Sequence, residues 1–206
     1  MGRGKFISLE GGEGVGKSTQ LHALAAALRS RGLDVVETRE PGGSTGGEAI
    51  RQLLLGGEED RWSAPAEALL FAAARTDHVD KVVRPAVLQG RWVLSDRFID
   101  SSLAYQGGAG GLGIEAVRAI NAFGIGEWFP NRALVLLHSQ GAERALARDV
   151  GVSDRIGSRP VSYHRAVEQA FRELAAAEPG RVRLIDASGT PGDVTGRLLA
   201  ALADLL

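Results

Sequence analysis

A chain of 206 residues, 44% hydrophobic and 24% charged, is long enough to bury roughly 70% of its unfolded surface around a single core, and this composition excludes a disordered chain. Its 24 basic and 25 acidic residues leave a net charge of -1, which argues against nucleic acid or an anionic membrane as the partner. The absence of cysteine removes disulfides, thiol nucleophiles, iron–sulfur clusters and cysteine zinc sites, and suits a cytoplasmic protein.

The elements alternate along the chain. Phe6 to Leu9 is a short apolar run that reads as a buried strand, too brief for the apolar core of a signal peptide. Leu21, Leu24, Ala25 and Leu28 have helical spacing and predict a helix over 17–31, stopped by Gly32. Val35-Val36 opens a second strand, closed by Pro41-Gly42-Gly43, and a short helix follows over 50–55. Residues 63–90 read as mostly helical, with Pro65 tolerated in the first turn and Pro85 kinking the run. Trp92 to Leu94 is a third strand, ending in Ser95-Asp96-Arg97.

A glycine-rich loop is predicted over 107–113, a helix over 115–123 and a fourth strand over 133–137. A helical turn over 143–148 leads into a polar, arginine-bearing stretch to Arg159. A helix over 161–177, a fifth strand over 182–185 and an amphipathic closing helix over 193–206 complete the chain. Strand–helix alternation of this kind requires crossover connections, hence an α/β fold whose mainly parallel sheet is covered on both faces. With no internal repeat or low-complexity linker, one domain over 1–206 is the economical reading.

Gly11-Gly12-Glu13-Gly14-Val15-Gly16-Lys17-Ser18 fits G-x-x-x-x-G-K-S, between a predicted strand and a predicted helix. Glycines there let the backbone aim its N–H groups inward, and the helix N-terminus adds partial positive charge. Gly11 to Thr19 is thus the candidate nucleoside triphosphate site, a motif that does not choose among kinases, GTPases and mechanical ATPases and that the resemblance given below makes the ATP site. In it Lys17 reaches the β- and γ-phosphates and the Ser18 hydroxyl binds Mg²⁺. No N-K-x-D sequence points to a GTPase. The third strand ends in Asp96-Arg97 rather than adjacent acids, which suggests a second anion in the same cleft.

The chain resembles the thymidylate kinase family of nucleoside monophosphate kinases. The resemblance is carried by Leu9 to Thr19, Thr38-Arg-Glu-Pro-Gly-Gly43, Leu70-Phe-Ala-Ala-Ala-Arg75, Asp96-Arg-Phe-Ile-Asp-Ser-Ser102 and Ala104-Tyr-Gln-Gly107. It implies a three-layer P-loop fold, five parallel strands flanked by helices with a mobile lid over about 148–160. It implies transfer of the ATP γ-phosphoryl group to dTMP with Mg²⁺ as cofactor, and a homodimer. The acceptor nucleophile would be a phosphate oxygen, with a second pKa of about 6 and already ionised, so no protein base is required.

The resemblance also assigns roles. Arg51, Arg75 and Arg97 surround the acceptor phosphate, Phe71 stacks on thymine, and Gln106 hydrogen-bonds the base edge. Tyr105 lies beneath the sugar, and Ser102 faces the base. Glu13 lies near the acceptor sugar and the Mg²⁺ water shell, and Asp96 holds Mg²⁺ through water or orients Arg97. Gly14 stands where some members carry arginine, so the chain is similar to the bacterial subtype that brings its catalytic arginine from the lid. Arg148, Arg155 and Arg159 are the candidates, Asp154-Arg155 matching best.

The chain departs from its relatives at Gly110, Ala166 and Glu168, where arginines are common, and at His138-Ser139-Gln140, where an aspartate is usual. His22, His78, His138 and His164 lack metal-ligand spacing and read as structural or surface residues. A kinase for another nucleoside monophosphate, or a non-catalytic nucleotide-binding protein, stand as the alternatives at this level.

Overall fold

The computed structural model describes residues 4–58, 60–138 and 155–206. Its sheet is built from β1 (Phe6–Gly11), β2 (Val35–Arg39), β3 (Trp92–Asp96), β4 (Arg132–Leu137) and β5 (Val182–Asp186), all parallel, in the order β2-β3-β1-β4-β5. The helices are α1 (Lys17–Arg29), α2 (Thr45–Leu55), α3 (Ala64–His78), α4 (Arg84–Leu88), α5 (Ile99–Ser102), α6 (Ile114–Ile125), α7 (Val161–Ala177) and α8 (Pro191–Ala200). None of the described helices is long and apolar enough to cross a membrane.

The period of two in the strands produces the three layers. On β1, Phe6 enters one core and Ile7 and Leu9 the other; on β4, Ala133, Val135 and Leu137 alternate with Leu134 and Leu136. One core is closed by α6 and α7, through Val117, Ile125, Val167, Phe171 and Leu174. The other is closed by α1 and α8, through Leu21, Leu24, Leu28, Val194 and Leu198. With β1 central, its C-terminal end opens beside the ends of β3 and β4, where an open α/β sheet binds ligands.

Four element boundaries differ from the sequence reading, each for a local reason. Helix α2 begins at Thr45 rather than at 50, because the Ser44 hydroxyl accepts from Gly47 N and caps it. The 63–90 run breaks into α3, a π-helical turn over Val79–Val83, and α4, the wide turn falling just before Pro85, which has no N–H to offer. A second π-helical stretch, Leu103–Ala109, continues α5, so Gln106 and Gly107 are helical and the glycine-rich loop starts only at Gly110. Helix α8 starts at Pro191, set by a reciprocal Thr190–Asp193 capping box, and ends at Ala200 before a set of turns. The helical turn expected over 143–148 lies outside the described residues.

Candidate nucleotide site

Strand β1 delivers the chain into the phosphate loop, and α1 takes it away. Gly16, at φ 89°, caps α1 without a side-chain hydrogen bond, which leaves the first-turn N–H groups for a ligand. Gly11 passes so close to the Leu136 carbonyl that a Cβ would collide with it, which accounts for glycine at the strand end. Lys17 is buried, and its Nζ donates to Gly12 O at 2.6 Å, folding the side chain back over the loop. Burial, and then the neighbouring Arg97, push the Lys17 ammonium down to about 8 against the pull of Glu13 and Asp96. Ser18 Oγ donates to Asp96 Oδ2 at 2.7 Å.

Arg97 links the end of β3 to the phosphate loop. It sits at φ 69°, a left-handed conformation rarely adopted by a non-glycine residue, and this turns its side chain back toward the loop. Its guanidinium donates to Gly11 O at 2.8 Å, to Ser101 Oγ at 3.2 Å, to Glu13 Oε1 at 2.5 Å and to Tyr105 Oη at 3.3 Å. Burial alone would raise the Glu13 carboxyl, but Arg97 and Lys17 outweigh it and hold the group down to about 2.

A cavity of about 560 Å³ runs from this point between the end of β3, α2, α3 and α5. Its lining takes in Glu13, Gly14, Gly16, Lys17, Ser18 and Thr19 from the loop, and Asp96 and Arg97 from the end of β3. Arg51, Phe71, Arg75, Ser102, Tyr105 and Gln106 line its far part. All the residues expected to bind the acceptor therefore face one cleft. Gly11, Gly12 and Val15 shape the loop from behind without lining it.

Within the cleft Arg75 sits toward Ser102. It is the largest fully buried side chain, and it donates to Glu40 Oε2 at 2.7 Å, Asn121 Oδ1 at 2.5 Å, Phe98 O at 3.2 Å and Ser102 Oγ at 3.0 Å. Arg51 donates to Pro41 O at 2.8 Å, beside the Arg39-Glu-Pro-Gly-Gly43 segment, whose Glu40–Pro41 peptide is cis. His78 bonds Glu40 Oε1 and Thr38 Oγ1, a wholly buried structural role that agrees with the sequence reading.

The lid candidates divide. Arg148 and Asp154 lie outside the described residues. Arg155 does not line the cleft: its guanidinium is buried, donating to Leu54 O at 2.9 Å and Glu67 Oε2 at 2.5 Å, although its neighbour Ile156 lines the wall. The expectation that Arg155 meets the transferring group is corrected to this extent, because the buried Glu67 carboxylate holds it. Arg159 donates to the same Glu67 oxygen at 2.9 Å and to Tyr163 Oη at 2.5 Å.

Among residues with no assigned role, Glu40 and Ser101 line the cleft, and Glu10 and Glu67 stand behind it, bonded to the lining residues Ser101 and Gln106. A signal for Glu67 is present, since Glu67, Phe71, Arg75 and His78 fall at i, i+4, i+8 and i+11 on one face of α3, three buried polar side chains around an aromatic one. Mg²⁺ fits the donor chemistry at Ser18 and Asp96, two adjacent hard oxygens beside the loop.

Comparison with known proteins identifies the family. The thymidylate kinase family model matches residues 9–197. A thymidylate kinase from Rhizorhabdus wittichii is 60% identical over 98% of this chain and 99% of its own length, and one from Bradyrhizobium diazoefficiens is 46% identical over 100% and 91%. The crystal structure of thymidylate kinase from Ehrlichia chaffeensis superposes with a TM-score of 0.80 at 28% identity, covering 98% of this chain and 99% of that one.

Proposed function

The chain belongs to the thymidylate kinase family and transfers the γ-phosphoryl group of ATP to dTMP, giving dTDP and ADP, and we propose that it does so by seating the two nucleotides on either side of Arg97. The observation that carries this is the attachment of Arg97 to both Glu13 and Gly11 O, which ties an acceptor-binding guanidinium to the loop that grips the donor.

The acceptor phosphate attacks the γ-phosphorus through one of its own ionised oxygens. The bond to the β–γ bridging oxygen breaks, and ADP leaves with the electron pair. No protein group needs to take a proton, so catalysis consists of alignment and charge compensation. Lys17 and the loop N–H groups hold the donor phosphates. Arg97 and Arg51 hold the acceptor phosphate, Glu13 and Tyr105 fix Arg97 and bound the sugar, and Phe71 stacks on the base. Ser102 and Gln106 face the base edge, and Arg75, expected from the sequence at the acceptor phosphate, is proposed here beside them instead, a changed role that its bond to Ser102 supports. Mg²⁺, held by Ser18 and through water by Asp96, would neutralise charge on the β- and γ-oxygens.

Arg148 is the proposed lid arginine for the migrating group, in a single domain whose lid spans about 148–160. A cytoplasmic setting, which supplies ATP, goes with this reading. We propose a homodimer formed through α3 and α6, supported by the exposure of Phe123 (98%) and Leu69 (56%) on these two packed helices. Sedimentation of wild type and Phe123→Asp checks it, the variant running as a monomer; identical sedimentation of the two proteins argues against this face.

A coupled assay of ADP release across dTMP, dUMP, dCMP, dGMP and UMP tests the substrate reading. The expected result is the highest kcat/KM for dTMP. A higher value for any of the others removes it.

A further inference from the structure

Glu67 is 2% exposed and serves three partners with two oxygens. Its Oε2 accepts from Arg155 Nη2 at 2.5 Å and from Arg159 Nη2 at 2.9 Å. Its Oε1 accepts from Gln106 Nε2 at 2.9 Å. Gln106 is itself buried, on the helical stretch Leu103–Ala109, and lines the nucleotide cleft next to Phe71 and Ser102.

We infer that Glu67 is a positioning residue for base selection: by fixing the amide of Gln106 with its NH₂ group turned away from the cleft, it makes Gln106 an acceptor toward the base. This rests on the reading of Gln106 as the base-edge contact given above. The chemistry leaves one orientation. A carboxylate paired with two guanidiniums only accepts, so only the NH₂ end of the amide can face it, and Oε1 is left for the ligand. Thymine and uracil carry a donor at N3–H, which that oxygen can bind. Cytosine carries a bare lone pair at N3, which it repels. Discrimination then comes from a disfavoured pairing as well as from a favoured one.

The arginines make the device specific to a carboxylate. In Glu67→Gln, Arg155 and Arg159 compete for the single amide oxygen, and the new NH₂ group is left facing Gln106. Gln106 must then turn its own oxygen toward residue 67 and its NH₂ toward the cleft, where it suits cytosine. The 5-methyl group that separates thymine from uracil is not part of the N3 edge that Gln106 meets.

The experiment measures kcat/KM for dTMP, dUMP and dCMP in wild type, Glu67→Gln, Gln106→Ala and the double variant. The dUMP:dCMP ratio isolates the N3 and C4 edge, since neither base has the 5-methyl group, and the dTMP:dUMP ratio reports the methyl. In Glu67→Gln the dUMP:dCMP ratio should fall by about tenfold or more while dTMP:dUMP stays within about twofold. In the Gln106→Ala background, Glu67→Gln should have no further effect on the first ratio.

A purely structural Glu67 would move both ratios, or neither, and either result overturns the inference. If Gln106→Ala leaves dUMP:dCMP unchanged, Gln106 does not read the base, and the earlier reading fails first. If Gln106→Ala lowers the ratio and a folded Glu67→Gln does not, only the role of Glu67 fails. Should Glu67→Gln not fold, Glu67→Asp takes its place: it keeps the charge for the arginines but is a methylene too short to hold Gln106 as well. An unchanged dUMP:dCMP ratio in Glu67→Asp overturns the inference equally.

Discussion

Ser18 Oγ donates to Asp96 Oδ2 across 2.7 Å, joining the first turn of α1 to the end of β3. The two residues are 78 positions apart in the chain and meet because β1 and β3 are neighbours, with Leu9 in register with Asp96. This places two oxygen donors at the rim of the phosphate loop. Asp96→Asn keeps the shape and removes the charge. It should lower kcat by about 10²-fold and raise the Mg²⁺ concentration needed for half-maximal rate. A metal titration of the transfer rate reads both effects, and an unchanged Mg²⁺ dependence would remove Asp96 from the metal site.

Lys17 gives a pH dependence with a definite sign. Its ammonium titrates at about 8 in the free protein, well below the ordinary 10.5, because it is buried next to Arg97. The charged form binds phosphate, so kcat/KM for ATP should decline as pH rises through about 8. Bound nucleotide phosphates favour the ammonium, so kcat should hold to higher pH than kcat/KM. Lys17→Ala should cost about 10²–10³-fold in rate and abolish that alkaline limb. Persistence of the limb in the variant would assign it to another group.

Arg97→Ala removes the link between the two nucleotide sites. Its bonds to Glu13, Gly11 O, Ser101 and Tyr105 all go at once. The expected outcome is a loss of about 10²-fold or more in kcat/KM for dTMP, with a much smaller change in ATP affinity. Steady-state kinetics with each substrate varied separates the two. Equal losses on both sides would place Arg97 on the donor rather than between donor and acceptor.

How much of this was legible before the fold was known follows sequence distance. The phosphate loop was readable because its residues are contiguous and its chemistry is main-chain, so spacing alone defines it. The alternating strands and helices were readable because each strand carries apolar side chains to two faces. The acceptor residues came from short segments whose order matched a family. Glu67 was not assigned, since its partners Gln106 and Arg155 lie 39 and 88 residues away. Its spacing with Phe71, Arg75 and His78 marks an inward face, but not what that face meets. Arg155 misled for the same reason: the lid segment identifies an arginine, but only tertiary structure shows the carboxylate that holds it. The start of the glycine-rich loop was misjudged because Gly107 looks like a breaker, whereas packing continues the helix through Ala109.

Glu10 makes a last prediction, on stability. It is completely buried at the end of β1, where Oε2 accepts from Ser101 Oγ at 2.6 Å and Oε1 has no partner among the described residues. Burial, and then the charge of Asp100, push its carboxyl up to about 7, against the hydrogen bond from Ser101 and the nearby Ser8 hydroxyl and Arg97. The folded chain therefore keeps a proton that the unfolded chain releases near 4.5. Stability is lost as pH rises through that interval, and the penalty is complete above about 7. Glu10→Gln removes the titration while leaving an amide in the same space. Whatever the amide costs in packing applies at every pH, so the informative quantity is the change in Tm difference between pH 5 and pH 8. The variant should gain on wild type by several degrees, on the order of 5 °C, over that interval. A Tm difference that stays constant from pH 5 to pH 8 would mean that Glu10 does not titrate there in the folded protein.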